Sequence, residues 1–168
     1  MSFLNARFTD RISGTIHGFR HCLQEGKTAM TNTAPPLLAV AAAILVNGEG
    51  EILLAQRPKG KPFGGLWEFP GGKIETGETP ETALVREMEE ELGIMIAVED
   101  LSPFTFASHS YDNIHLLMPL YLCRHWDGIV IPKEGQDIVW VPPKNLAEYR
   151  MPPADIPLIP LLQNGVSL

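Results

Sequence analysis

Glu87, Glu90 and Glu91 stand at i, i+3 and i+4, a spacing that places side chains on one face of an α-helix. On the same helix Glu89 is turned about 200° away from Glu87. Carboxylates crowded onto one face repel by about 0.2–0.5 kcal/mol per pair in water, and by more where the face is covered. A covered acidic face therefore calls for cations. Carboxylate oxygens select hard ions, Mg2+, Mn2+ or Ca2+, over zinc, and Mg2+ takes a few carboxylates while leaving positions for water and substrate phosphates. A glutamate-rich run is otherwise a solvated helix surface. Here Glu75, Glu78, Glu81, Glu87, Glu89, Glu90 and Glu91 are opposed between Gly71 and Ile94 only by Lys73 and Arg86, a local charge of -5.

The elements that must position these acids are legible around them. Thr79 is a suitable N-cap, Pro80 suits a first helical turn and Gly93 sits where a C-terminal cap belongs, which predicts a helix over residues 80–92. Leu84, Met88 and Leu92 form its apolar stripe. Upstream, the apolar run 37–46 ends at Asn47-Gly48-Glu49-Gly50 and is followed by Ile52-Leu53-Leu54-Ala55-Gln56, two strands joined by a tight turn. Residues 57–65 form a Gly/Pro/Lys loop, and residues 66–69 a short strand before Pro70-Gly71-Gly72. Further strands are expected over 104–108, 114–123 and 138–141, with a last helix over 156–162. Interleaved strands and helices with hairpin-like connections imply an α/β (α+β) domain, a mixed sheet flanked by helices.

Gly72, then Glu78, then Arg86-Glu87-Met88-Glu89-Glu90-Glu91-Leu92-Gly93-Ile94 matches without a gap the signature of the Nudix hydrolases, which the chain resembles. With about nine specified positions in 23, chance agreement is remote. The resemblance implies the Nudix fold, a mixed sheet sandwiched between helices, and hydrolysis of a nucleoside diphosphate linked to a further group. Residues 66–75 and 77–81, Lys133-Glu134-Gly135-Gln136, and Pro152-Pro153-Ala154-Asp155 before Ile156-Pro157 are similar to the MutT branch, which hydrolyses oxidised purine nucleoside triphosphates such as 8-oxo-dGTP to the monophosphate and pyrophosphate by attack on the β-phosphorus.

What the resemblance implies is residue-specific. Glu87, Glu90 and Glu91 are the expected ligands of Mg2+ (or Mn2+), with the backbone carbonyl of Gly71 adding another; glycines at 71 and 72 let the loop approach an ion. Glu134 is expected at the metal cluster, as first candidate for the general base, with Glu87 second. Arg86 and Glu78 are read as scaffolding, a guanidinium holding loop to helix, and Gly72 as structural. Arg57, Glu68, Phe69, Pro70, Gly71 and Asp155 are expected at the substrate; Lys59 and Lys61 share the loop with Arg57 and offer charge for phosphate. Where MutT carries an asparagine this chain has Asp155, and an ionised carboxylate only accepts hydrogen bonds. An unpaired buried polar group costs about 1–3 kcal/mol, so base preference turns on this position. Asp155 is equally placed to N-cap the last helix. His109, His115, Cys123, Trp126 and Trp140 are assigned no chemistry, and Trp67 is read as core.

The remaining composition bounds the classes. The 168 residues carry 13 Lys plus Arg against 20 Asp plus Glu, a net charge of -7, which argues against holding a nucleic acid duplex by its phosphates. The run 37–46 is about half the roughly 20 residues of a membrane-spanning helix. Two cysteines, Cys22 and Cys123, are too few for a disulfide framework and fit a reducing cytoplasm. Residues 1–34 read as an N-terminal extension and linker: a targeting segment, a helix over 12–23, or residues preceding a domain that starts near Met30. The domain proper covers 35–168, as a monomer or weak homodimer. Two other readings keep the same acid cluster: a Nudix enzyme acting on pyrimidine triphosphates or other nucleoside diphosphate derivatives, and a non-catalytic ligand-sensing module.

Overall fold

The computed structural model describes residues 34–165; the expected helix over 12–23 lies outside them. In chain order the elements are β1 (Leu37–Leu45), β2 (Ile52–Gln56), β3 (Trp67–Glu68), β4 (Gly71–Lys73), α1 (Pro80–Leu92), β5 (Leu101–Ser110), β6 (His115–Cys123), β7 (Ile138–Val141) and α2 (Ile159–Gly165). Among the described residues no helix is long and apolar enough to cross a membrane.

A four-stranded mixed sheet has the order β4-β1-β6-β5, with β1 parallel to β6 and antiparallel to β4. A smaller antiparallel sheet has the order β3-β2-β7. The first two strands are therefore not a simple hairpin. Both edges of β1 are occupied, by β4 and β6, so β2 keeps only the bridge Val46↔Ile52 and pairs elsewhere. The turn between them is held by Asn47 Oδ1, which accepts from the N–H groups of Glu49 and Glu51 at 3.0 and 2.9 Å.

β1 is buried on both faces, which explains its unbroken apolar run. Ala41, Ala43 and Leu45 meet Leu84, Met88 and Leu92 of α1, while Ala42 and Ile44 belong to a second cluster with Leu120, Leu146, Leu158 and Leu162. The sheets are thus covered by helical segments on both sides. Each buried Leu or Met of the α1 stripe contributes about 1.5–3 kcal/mol, which anchors the acid-bearing helix.

The caps of α1 close as its sequence predicts. Thr79 Oγ1 accepts from the Thr82 N–H at 3.3 Å, Thr82 Oγ1 accepts from the Thr79 N–H at 2.9 Å, and Gly93 (φ 69°) ends the helix in the left-handed region. The last helix differs from its expectation. Residues Ile156–Leu158 form a 3-10 turn before α2, where Pro157 and Pro160 lack backbone donors for regular α-helical bonds. Asp155 occupies the N-cap position of this turn but its side chain makes no cap bond, which corrects the capping alternative.

Candidate active site

The loop before α1 and the helix face itself meet through two glycines. A Cβ on Gly71 (φ 151°) would lie 2.2 Å from the carbonyl oxygen of Ala41, and one on Gly72 2.0 Å from Glu87 Oε1. Only glycine lets β4 run between β1 and the helix at this separation. The Gly71 N–H donates to Glu91 Oε2 at 3.3 Å.

Arg86 ties the other side together. Its Nε and Nη2 donate to the two carboxylate oxygens of Glu78 at 2.8 and 3.0 Å, Nη1 donates to Glu87 at 2.8 Å and Glu90 at 3.2 Å, and Nη2 reaches the Lys73 carbonyl at 3.1 Å. The bidentate guanidinium pulls the Glu78 carboxyl down to about 2, helped by the Glu75 N–H.

A cleft of about 540 Å3 gathers Arg57, Glu68, Phe69, Pro70, Gly71, Gly72, Glu87, Glu91, Glu134 and Asp155. Glu78, Arg86 and Glu90 are not in its lining. Glu90 lies outside the lining: its side chain is 59% exposed and bonds Arg86 Nη1, the nitrogen that also holds Glu87. Among the described residues no three His, Cys, Asp or Glu side chains already converge as a metal cage. The cleft lining contains neither histidine nor cysteine, so its donors are the oxygens that suit a hard divalent ion.

Burial pushes the Glu91 carboxyl up to about 8; the charges of Glu87, Glu134 and Glu68 raise it further, against the lowering contact from the Gly71 N–H. Acids crowded and partly desolvated in this way form a donor set that a divalent cation fits.

Asp155 is 4% exposed. Desolvation first, then the charge of Glu68, pushes its carboxyl up to about 7, with Arg57 opposing. Glu68 is itself raised by burial while its bond to Arg57 Nη1 at 2.5 Å works the other way. Arg57 also donates to the Pro62 carbonyl at 2.8 Å, and Lys61 reaches Glu134 at 3.4 Å; Lys59 is not in the lining.

Among the cleft residues to which the sequence assigned no role are Phe63, Tyr111 and Gln136. The rings of Phe63 and Tyr111 lie 5.3 Å apart, joining the loop after β2 to the β5–β6 turn, with Phe63 held at φ 62°. No local pattern announces such a pair, because its members are 48 residues apart in sequence. Trp67 packs edge-on against Tyr149 and stays out of the cleft. His115 bonds Ser108 and Ser110, and Trp126 stacks on Trp140.

Comparison with known proteins agrees with this architecture. The model of the NUDIX domain matches residues 41–161. The chain is 41% identical over 129 residues to the 8-oxo-dGTP diphosphatase of Haemophilus influenzae, covering 76% of this chain and 93% of that protein. It is also 41% identical over 125 residues to the CTP pyrophosphohydrolase of Escherichia coli K12, covering 73% and 89%. Among solved structures, a chain from a study of MutT from Aliivibrio salmonicida and Vibrio cholerae superposes with a TM-score of 0.65 at 37% identity, covering 76% of this chain and 97% of that one. With the glycine loop, the acid-bearing helix and a domain-length match in agreement, the chain belongs to the Nudix domain family.

Proposed function

We propose that the domain, residues 35–168, is a cytoplasmic nucleoside triphosphate pyrophosphohydrolase of MutT type that hydrolyses oxidised purine nucleotides such as 8-oxo-dGTP to the monophosphate and pyrophosphate, removing them before replication. The observation that carries this reading is one cleft holding Glu87, Glu91 and Glu134 together with the buried Asp155 among apolar side chains. The 8-oxo-dGTP diphosphatase relatives support the same substrate.

In this reading Glu87, Glu90, Glu91 and the Gly71 carbonyl hold Mg2+ or Mn2+, with Glu134 beside them. The ion supplies charge neutralisation on the triphosphate and acidification of the attacking water. These side chains would leave positions on the ion for substrate phosphates and water. Arg86 bonds both Glu87 and Glu90 and keeps the two carboxylates side by side. Arg57 and Lys61 attract the polyphosphate. Glu134 accepts the proton of the water as oxygen attacks the β-phosphorus, and the nucleoside monophosphate leaves. Asp155 faces the base. With its carboxyl raised to about 7, a neutral fraction is present near pH 7 that both donates and accepts hydrogen bonds, as an amide does. The ionised form accepts alone and suits ring N–H donors, including the N7–H that oxidation at C8 creates.

A second reading, pyrimidine triphosphates, is supported by the CTP pyrophosphohydrolase relative. Steady-state rates with 8-oxo-dGTP, dGTP, dCTP and CTP, each with Mg2+ or Mn2+, separate the two. Preference for 8-oxo-dGTP by tenfold or more in kcat/KM is expected, with the label from 18O-water found in pyrophosphate. Preference for CTP or dCTP overturns the purine assignment, and label in the monophosphate overturns β-attack.

A further inference from the structure

The loop that carries Glu134 is fastened to the end of α1. The last carbonyls of a helix have no partner within it. Here the Ile131 N–H donates to the Leu92 carbonyl at 2.9 Å, the Lys133 N–H to that of Glu91 at 2.9 Å, and Lys133 Nζ to that of Glu89 at 3.1 Å. A positively charged ammonium at this end also suits the helix dipole.

Within this docked loop one side chain spans the two acids. Gln136 is 8% exposed. Its Oε1 accepts from the Glu134 N–H at 2.8 Å and its Nε2 donates to the Glu91 carbonyl at 3.0 Å. Gly135, at φ 73°, turns the chain so that residues 134 and 136 come back to each other. Both functional ends of one buried amide are thus spent on the backbones of two cleft carboxylates from segments 43 residues apart.

We infer that Gln136 is a positioning residue, a clamp that sets the Glu134 carboxylate relative to Glu91. Its amide is engaged by the backbones of residues 134 and 91, so it acts through Glu134. The inference rests on the proposed participation of Glu134 in hydrolysis. Glutamine is required because the clamp needs an acceptor toward an N–H and a donor toward a carbonyl. Glutamate in its place presents an oxygen to the Glu91 carbonyl, and methionine fills the space without either bond.

The test is a double-mutant cycle of Gln136→Met and Gln136→Glu with Glu134→Gln, in the full chain with Mg2+ and 8-oxo-dGTP. Each Gln136 variant is expected to lower kcat about tenfold, equivalent to about 1.4 kcal/mol, with KM changed less than twofold. Added to Glu134→Gln, neither lowers kcat further. A readout independent of turnover is amide hydrogen exchange in metal-free protein: protection of the Glu134 N–H falls at least tenfold in Gln136→Met, while α1 amides keep theirs. If Glu134→Gln is impaired but the Gln136 variants keep wild-type kcat, or their losses multiply with it, the clamp is overturned and the site reading stands. If Glu134→Gln itself keeps wild-type kcat, the role of Glu134 falls and the clamp's catalytic purpose with it. Unchanged Glu134 exchange overturns the clamp by itself.

Discussion

Gly72 and Glu87 share a space that admits only one of a methyl group and a carboxylate: a Cβ at 72 would sit 2.0 Å from Glu87 Oε1 and 2.2 Å from its Cδ. Arg86 bonds the same oxygen at 2.8 Å, so a carboxylate displaced by that methyl group gives up its place on the guanidinium. Gly72→Ala is expected to displace Glu87 by about 1 Å and to lower kcat by about 10²-fold. Kinetics with Mg2+, set beside an unchanged circular dichroism spectrum, checks it; wild-type turnover would show that Glu87 is not held where hydrolysis needs it.

Glu91→Gln keeps the shape of the side chain and an oxygen to accept from the Gly71 N–H, but removes the charge offered to a cation. The expected outcome is a kcat lower by about 10³-fold, equivalent to about 4 kcal/mol, in a variant that folds normally. Isothermal titration with Mn2+ and a non-hydrolysable nucleotide should show weakened metal uptake, and wild-type uptake with full activity would remove Glu91 from the site.

Arg86→Lys retains one positive charge but no planar fork. An ammonium cannot serve Glu78, Glu87, Glu90 and the Lys73 carbonyl together. The variant is expected to lose about tenfold in kcat and a few degrees in Tm. Differential scanning calorimetry beside steady-state rates reads both, and a lysine variant equal to wild type in each would mean that the loop-to-helix tie is dispensable.

Asp155 makes stability depend on pH. Its carboxyl is raised in the folded protein from 3.8 to about 7, so between those values the folded state binds more protons than the unfolded one. The proton-linked stabilisation is full below the unfolded value and is lost as pH rises toward 7. Asp155→Asn removes this slope. Denaturant unfolding of metal-free protein should show the wild type losing stability relative to the variant as pH rises from about 4 to about 7, and no further above it. Parallel curves for the two proteins would contradict the burial argument. In the enzyme assay, the same substitution should flatten the pH dependence of KM for 8-oxo-dGTP between about pH 6 and 8.

Helix α1 illustrates how much was legible in the chain alone. Its Thr79 start, Gly93 stop, buried Leu84-Met88-Leu92 stripe and spaced acids all follow from neighbours within a turn or two, and local periodicity reports on such neighbours directly. The Gly71-Gly72 requirement was legible as a close approach, expected toward an ion, while the neighbours that demand it are the Ala41 carbonyl and the Glu87 carboxylate. Strand existence was readable as well, whereas partner choice was not: β2 leaves β1 because β4 and β6 already hold both its edges, a fact set by segments far along the chain.

Spacing and residue type in the sequence thus determined the acid-bearing helix, its caps, its glycine loop and the family to which they belong, since each depends on contacts within a short stretch of chain. Tertiary structure decided what surrounds the acids. It left Glu90 exposed and bonded to Arg86, brought Glu68, Glu134 and Asp155 into one cleft from separate segments, bridged Glu134 to Glu91 through Gln136, and buried Asp155. Desolvation and through-space charge are sums over groups distant in sequence, so they exist only once the chain has packed.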